Sequence, residues 1–141
     1  MSRPRTILAF DFGLRRIGVA VGQDITGSAS PVGVITNRDT GVDLDAIAGL
    51  IREWRPTGLV VGMPAHADGS PSDLQAPVEA FISELQAFGL PINTVDERYT
   101  SVEAERVLKD ARAAGTRGRI SMEMIDSAAA VFIAERYLAR E

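Results

Sequence analysis

The chain has 141 residues, 45% of them hydrophobic and 24% charged, which is the balance of an ordinary globular protein and predicts a single domain over residues 1–141. Its net charge of −4 excludes the broadly basic surface with which some proteins coat nucleic acid, so any contact with phosphate groups must be local. The absence of cysteine excludes disulfides and cysteine-ligated metals, and the absence of a long apolar segment predicts a cytoplasmic protein with no membrane association.

The first third of the chain predicts three antiparallel strands. Residues 7–12 are almost continuously apolar and residues 16–22 alternate bulky residues with glycine and alanine, so the short connection at residues 13–15 predicts a hairpin. Residues 32–36 supply a third strand. Thr40 is then expected to cap a helix whose apolar residues recur at helical spacing until a proline ends it.

Strands and helices alternate in the middle of the chain. The apolar stretch GLVVGMP, at residues 58–64, predicts a short buried strand. Ser70 and Pro71 open a helix that Gly89 closes, and Pro77 either kinks this helix or delays its start. Three leading strands followed by this alternation predict a mixed sheet, in which right-handed crossovers join the later strands.

The last third of the chain begins with a fifth strand that ends in acidic residues, within the stretch PINTVDERYT. Thr100 and Glu103 then form the pattern of a capping box, which predicts a helix that runs to Gly115. Residues 115–121 form a basic, glycine-containing loop, and residues 122–140 predict the final helix.

Four acidic residues lie where a ligand site is expected. Asp11 follows a buried apolar run, where an ionised carboxylate costs several kcal/mol unless something compensates it, and Asp96 and Glu97 end the fifth strand. Asp126, near the start of the final helix, completes a cluster if the first, fourth and fifth strands are neighbours. Because successive strand residues point to opposite faces, only one of Asp96 and Glu97 shares a side with Asp11.

These carboxylates have a functional and a structural interpretation. Carboxylates brought together repel one another unless cations bridge them, and hard oxygen ligands of this kind suit Mg²⁺ or Mn²⁺. In the structural interpretation Asp11 is a turn residue, Asp96 or Glu97 is a solvated strand end, and Asp126 is a favourable charge at a helix N-terminus. Spacing alone leaves both interpretations open.

Four motifs are distributed along almost the whole length of the chain, namely FDFGLRRIGVAVGQ, VVGMPAHADGS, VDERYTSVEA and IDSAAAVFIAERYL. In this order and spacing they resemble the YqgF family, also called RuvX, of bacterial RNase H-like nucleases. The resemblance implies an RNase H-like α/β fold, a five-stranded mixed sheet flanked by helices. It also implies that Asp11, Glu97 and Asp126 match the family's acidic positions. Members are described as Holliday junction resolvase-like and as nucleases that mature the precursor of 16S ribosomal RNA.

The resemblance implies metal-dependent hydrolysis of phosphodiester bonds. Two divalent ions about 4 Å apart activate water and stabilise the leaving oxygen in such a reaction. We expect Asp11 to be the bridging ligand, Glu97 and Asp126 to complete the sites, and Asp96 to be the substitute for Glu97. Basic and hydroxyl side chains near these acids are expected to bind substrate phosphates, unless they serve packing, ion pairing or capping. They are Arg16, Arg98, Thr100, Ser101, Arg117 and Arg119.

Two other function classes remain open from the sequence. Actin-like and sugar-kinase proteins begin with a similar aspartate-glycine hairpin that holds ATP phosphates, although they need two lobes and this chain is the length of one. A non-catalytic ribosome-assembly factor would act through binding alone. The expected partner is nucleic acid, either a ribosomal RNA precursor or branched or single-stranded DNA, and the protein is expected to be a monomer or a homodimer.

Overall fold

The computed structural model describes residues 5–63, 73–96 and 122–139, with side chains from residue 127 onward in the last segment. Its centre is a five-stranded sheet in the order β3-β2-β1-β4-β5. β1 pairs antiparallel with β2 and parallel with β4, β2 pairs antiparallel with β3, and β4 pairs parallel with β5. The predicted mixed sheet, with three antiparallel and two parallel strands, is therefore confirmed. The strands are β1 (Thr6–Phe12), β2 (Arg16–Gln23), β3 (Ser28–Thr36), β4 (Gly58–Met63) and β5 (Ile92–Asp96).

Three helices are described: α1 (Leu44–Trp54), α2 (Gln75–Leu85) and α3 (Met122–Leu138). Pro77 is the third residue of α2, within the first turn, where a missing backbone N–H breaks no helical hydrogen bond. A short 3-10 turn follows α2 and ends at Gly89, whose φ of 71° is the left-handed conformation expected of a closing glycine. The helix predicted over residues 100–115 and the basic loop at 115–121 lie outside the described residues.

The start of α1 corrects the predicted capping residue. Asp43, not Thr40, caps the helix, because its Oδ1 accepts a hydrogen bond of 3.1 Å from the backbone N–H of Ala46. Thr40 lies instead inside a small turn in which Arg38 and Gly41 form a bridge, so the chain has not yet reached the helix. Within the described part of the chain, no helix is long and apolar enough to cross a membrane.

Strand β3 is longer than predicted, since it begins at Ser28 and not at residue 32. Val19 of β2 pairs with Gly33 and Ala20 pairs with Pro31, so one extra residue of β3 bulges between the two pairs. The φ of 151° at Gly33 accommodates this bulge. Pro31 is tolerated because β3 is at the edge of the sheet, where a missing donor breaks no ladder.

Two hydrophobic cores cover the two faces of the sheet, and β1 contributes to both. Leu8, Phe10 and Phe12 face the first core with α1 and α2, where Phe81 makes an edge contact with Phe10 and stacks on Phe12. Ile7 and Ala9 of β1 point to the other face, into the second core under α3. The buried members of this second core are Ile7, Ala9, Val60, Ile133 and Ala134. β1 is therefore the central strand and is covered on both sides, which explains its continuous apolar run.

Candidate active site at the end of the central strand

Asp11 lies one residue before the end of β1, in a strand that is otherwise almost completely buried. Its neighbours Phe10 and Phe12 both pack in the first core. Strand alternation therefore places Asp11 on the opposite face, the face that α3 covers. The residue is half-buried, so its carboxylate lies at the boundary between the second core and solvent.

Glycines flank Asp11 on both neighbouring strands. Asp11 pairs directly with Gly18 of β2. On the other side Phe10 pairs with Val61 of β4, so the next position along the two parallel strands brings Gly62 beside Asp11. Neither neighbour carries a side chain, so neither adjoining strand places a Cβ beside the carboxylate on the α3 face of the sheet.

The acidic C-terminal end of strand β5 lies at the same end of the sheet as Asp11. Ile92 packs against the first core, whereas Val95 packs against the second core, on the side of α3. Asp96 follows Val95 and so lies on the face opposite to Asp11. Glu97 is the next residue in the chain and lies outside the described residues.

Helix α3 lies across the face of the sheet that carries Asp11. Small buried residues, Ala129 and Ala130, allow its backbone to approach the strands, and Ser127 donates a hydrogen bond of 3.2 Å from Oγ to the carbonyl of Gly33. At the other end of the helix, a Cβ on Gly22 would lie 3.2 Å from Leu138 Cδ1, so α3 passes close to β2 there. Asp126 lies in the first half of α3, directly before Ser127.

Two contacts join the C-terminal half of α3 to β5. Arg136 donates a hydrogen bond through Nη1 to the carbonyl of Asp96, the last described residue before Glu97. Asn93 donates to the hydroxyl of Tyr137 at 3.4 Å. The helix that carries Asp126 is thus attached to the strand that leads into Glu97.

The predicted site residues differ in how far the structure describes them. Arg16 is the first residue of β2, half-buried, and pairs with Thr36 at the same end of the sheet as Asp11. Among the residues that the structure describes, no three acidic or histidine side chains form a group that could hold a metal. The backbone of Asp126 is described, but its side chain is not. The other predicted site residues lie outside the described part of the chain, and they are Glu97, Arg98, Thr100, Ser101, Arg117 and Arg119.

Asn37 is a feature of this end of the sheet that sequence reasoning missed. Its Nδ2 donates to the carbonyls of Gly13 and Leu14 at 2.9 and 3.0 Å, and its backbone N–H donates to the carbonyl of Arg15 at 2.8 Å. One residue therefore holds all three residues of the β1–β2 turn, which directly follows the strand end that carries Asp11. The sequence contains no local signal for this contact, because Asn37 is more than 20 residues away from the turn.

Comparison with known proteins identifies the family. A model of the RuvX family, described as Holliday junction resolvase, matches residues 5–140. The chain belongs to the RuvX family. Proteins of Burkholderia lata and Burkholderia cenocepacia, both named "Putative pre-16S rRNA nuclease", are 46% and 45% identical to it over 138 residues, which is 97% of this chain and 91% of each relative. The resemblance read from the four motifs is confirmed.

Solved structures of two resolvases share the fold of this RuvX-family chain. Thermus thermophilus RuvC in complex with a Holliday junction substrate matches with a TM-score of 0.56 at 12% identity, over 95% of this chain and 93% of RuvC. The Fowlpox virus resolvase, in complex with Holliday junction DNA, matches with a TM-score of 0.60 at 10% identity, over 94% and 96%. At such low identity the likeness concerns the fold, and it confirms the predicted RNase H-like architecture.

The turn after Asp11 generates a stability prediction for this RuvX-family protein. A Cβ added to Gly13 would lie 2.6 Å from the backbone carbonyl oxygen of Arg16, so Gly13→Ala must displace the turn. We expect it to lower the free energy of unfolding by about 1–3 kcal/mol, the usual cost of overpacking. Gly49→Ala is the matched control, because this glycine lies inside α1 with only the tip of Arg52 within 4 Å.

The control substitution should stabilise the protein by about 0.5–1 kcal/mol, since alanine favours the helical conformation over glycine. Urea unfolding of both variants measures the two effects. A Gly13→Ala protein as stable as the wild type would contradict the tight turn.

Proposed function

We propose that this protein is a metal-dependent nuclease that hydrolyses phosphodiester bonds in nucleic acid, as one domain over residues 1–141. The observation that carries the proposal is the position of Asp11. Its carboxylate ends a strand covered on both faces, lies half-buried, and has glycines beside it on both neighbouring strands. A carboxylate held at the end of such a rigid strand is suited to binding a divalent cation, because carboxylate oxygens are hard ligands and the strand fixes their position.

The donor chemistry fits Mg²⁺ or Mn²⁺. Carboxylate oxygens are the ligands that these hard cations prefer, and Asp11 presents such a ligand between two strand positions without side chains. Asp11, Glu97 and Asp126 would hold the metal, with Asp11 shared between two ions. Bound ions would supply an activated water and stabilisation of the leaving oxygen.

The arrangement of β5 and α3 supports the assignment of Glu97 and Asp126 as the other two metal ligands. Asp96 lies on the face opposite to Asp11, so continued strand alternation would return Glu97 to the face of Asp11. Position 126 lies four residues before Ala130, which is buried where α3 packs against the sheet. One helical turn separates these two positions, which supports the proposal that Asp126 contributes to a site above β1.

The protein's own residues would hold the substrate rather than attack it. Arg16, at the start of β2, lies at the same end of the sheet as Asp11, and this position supports its assignment to a substrate phosphate. Further contacts are proposed for a set of basic and hydroxyl residues that follow β5 or precede α3, namely Arg98, Thr100, Ser101, Arg117 and Arg119. Water remains the nucleophile, and the carboxylates keep the metals in place.

The names of the relatives and of the structural neighbours point to two substrates. Relatives 46% and 45% identical are named for the precursor of 16S ribosomal RNA, and both solved resolvases are in complex with Holliday junctions. We infer that the substrate is a ribosomal RNA precursor, a branched DNA, or both, and that the protein acts in the cytoplasm as a monomer or a homodimer. A two-fold symmetric junction would favour the homodimer.

The test of the proposed function is a cleavage assay. Purified protein with Mn²⁺ or Mg²⁺ is incubated with labelled branched DNA, single strands and a 16S precursor RNA. Asp11→Asn, Glu97→Gln and Asp126→Asn should each reduce cleavage by more than about 100-fold, because losing a ligand costs at least as much as losing the groups that orient one. Asp96→Asn is the matched control and should be much milder, since this residue faces away from Asp11.

Three outcomes would contradict the proposal. Near-normal turnover by any one of the three variants removes that residue from the site. An Asp96→Asn protein as inactive as Glu97→Gln means that the strand alternation is wrong beyond residue 95. Binding of ATP with no cleavage of any nucleic acid would favour a nucleotide-binding lobe instead.

The basic residues before α3 generate a second prediction. Arg117→Ala together with Arg119→Ala should weaken binding to all sequences alike and reduce the slope of log affinity against log salt concentration by up to about two, one for each lost phosphate contact. Arg52→Ala together with Arg55→Ala removes the same charge from exposed positions at the end of α1, distant from Asp11, and should leave the slope unchanged. Equal slopes for both double variants would exclude Arg117 and Arg119 from the interface.

A further inference from the structure

Two large hydrophobic side chains are exposed in the described part of the chain, and they lie at opposite ends of the sheet. Leu14 is 66% exposed in the β1–β2 turn, and Ile25 is 74% exposed in the β2–β3 turn. β1 and β2 pair from Thr6 with Gln23 to Phe12 with Ile17, so only the turn with Leu14 adjoins the end of the sheet that carries Asp11. A single exposed hydrophobic residue is ordinary by itself. Leu14 differs from such a residue because it lies near Asp11 and belongs to a turn that is held rigidly.

The turn that carries Leu14 is held in one shape. Asn37 donates hydrogen bonds to the carbonyls of Gly13, Leu14 and Arg15, and the carbonyl of Arg16 occupies the place that a Cβ on residue 13 would need. An exposed loop rarely has every carbonyl bonded to one residue elsewhere in the chain. The tip therefore presents Leu14 to solvent at a fixed distance from Asp11.

The hydrogen bonds from Asn37 to the turn leave one of its own polar atoms unsatisfied. The Oδ1 atom of Asn37 is buried and has no hydrogen-bond partner among the residues that the structure describes. An unsatisfied buried acceptor is unfavourable, and native proteins contain few of them. Its presence here is explained if the shape of the turn matters more than the lost bond.

The charges around the turn indicate what it contacts. Arg15 is exposed directly beside Leu14, and the half-buried Arg16 follows. Arg38 is also exposed, although it forms an ion pair of 3.4 Å with Asp43. An apolar tip with adjacent arginines matches a nucleic-acid strand, in which apolar base faces alternate with phosphates. One leucine is far too little surface for a protein interface.

We propose that the turn Gly13–Arg15, held by Asn37, contacts the nucleic acid beside the cleaved bond, with Leu14 against the face of an unstacked base and Arg15 on a backbone phosphate. This inference rests on the proposed nuclease function. It narrows the substrate to nucleic acid with accessible base faces, because a leucine in a continuous duplex would have to unstack base pairs first. The protein should therefore prefer unpaired nucleotides over a perfect duplex.

The experiment compares binding to single strands and duplexes by fluorescence anisotropy, in chelator so that nothing is cleaved. The probes are a labelled single-stranded RNA, the single-stranded DNA of the same sequence, and the duplex of each. Leu14→Ala should weaken binding to both single strands about tenfold, the loss expected when a half-buried leucine is shortened to alanine, and should leave duplex binding unchanged. Ile25→Ala, the matched control, should bind all four probes like the wild type.

A third variant tests the role of Asn37 as a positioning residue. Asn37→Ala should reproduce the loss of single-strand affinity while Leu14 is still present, because the tip is no longer held. Thermal melts of each variant confirm that it is folded. A loss confined to RNA would assign the contact to the ribose and not to the base.

The proposal is overturned if Leu14→Ala binds every probe like the wild type, if it loses equal affinity for strands and duplexes, if its loss is confined to RNA, or if Ile25→Ala weakens binding as much. It is also overturned if the wild type binds none of the probes. These results are independent of the cleavage assay. If the wild type cleaves no substrate with either metal, the proposed nuclease function is refuted. If Leu14→Ala binds the probes like the wild type, only the proposed contact of Leu14 with a base is refuted.

Discussion

The structure depends on the position of one carboxylate, which lies at the end of a strand that is buried on both faces. β1 is central because it pairs with β2 on one side and β4 on the other, and its alternate residues supply both hydrophobic cores. A strand in that position is the most rigid part of such a fold, so Asp11 is held more precisely than a loop residue could be. Rigid placement is what a metal ligand requires, because the ions must keep their separation during the reaction.

The two faces of the sheet around Asp11 are packed differently. Phe81 contacts both aromatic residues of β1 on the opposite face, which fixes the strand from behind. On the face of Asp11, Gly18 and Gly62 contribute no side chain, and the alanines of α3 let the helix lie close to the sheet. Large side chains therefore stabilise β1 from one face, whereas the strand neighbours of Asp11 on the other face are small.

Much of the fold could be predicted from the sequence, because it is determined by local signals. Apolar runs, strand alternation and the glycines and prolines between them identified all five strands and their mixed order. The cap of α1 was misplaced because Thr40 and Asp43 are both good capping residues, and only the bridge of Arg38 with Gly41 decides between them. Asn37 could not be predicted, since its contact with the first turn depends on the register of β2 and β3. Asp11 was predicted to be a site residue because its carboxylate interrupts the apolar pattern of β1, and this stays a prediction.

Thermal melting of wild type and Asp11→Asn, in chelator and in Mn²⁺, tests the central claim most directly and needs no substrate. If Asp11 shares a metal site with Glu97 and Asp126, their repulsion without metal is relieved by the substitution, and Asp11→Asn melts higher than the wild type in chelator. Metal at about 100 times its dissociation constant should then stabilise the wild type by roughly 2.7 kcal/mol, worth several degrees, and the variant much less. An Asp11→Asn protein that melts lower in chelator, yet responds to Mn²⁺ like the wild type, would contradict the claim.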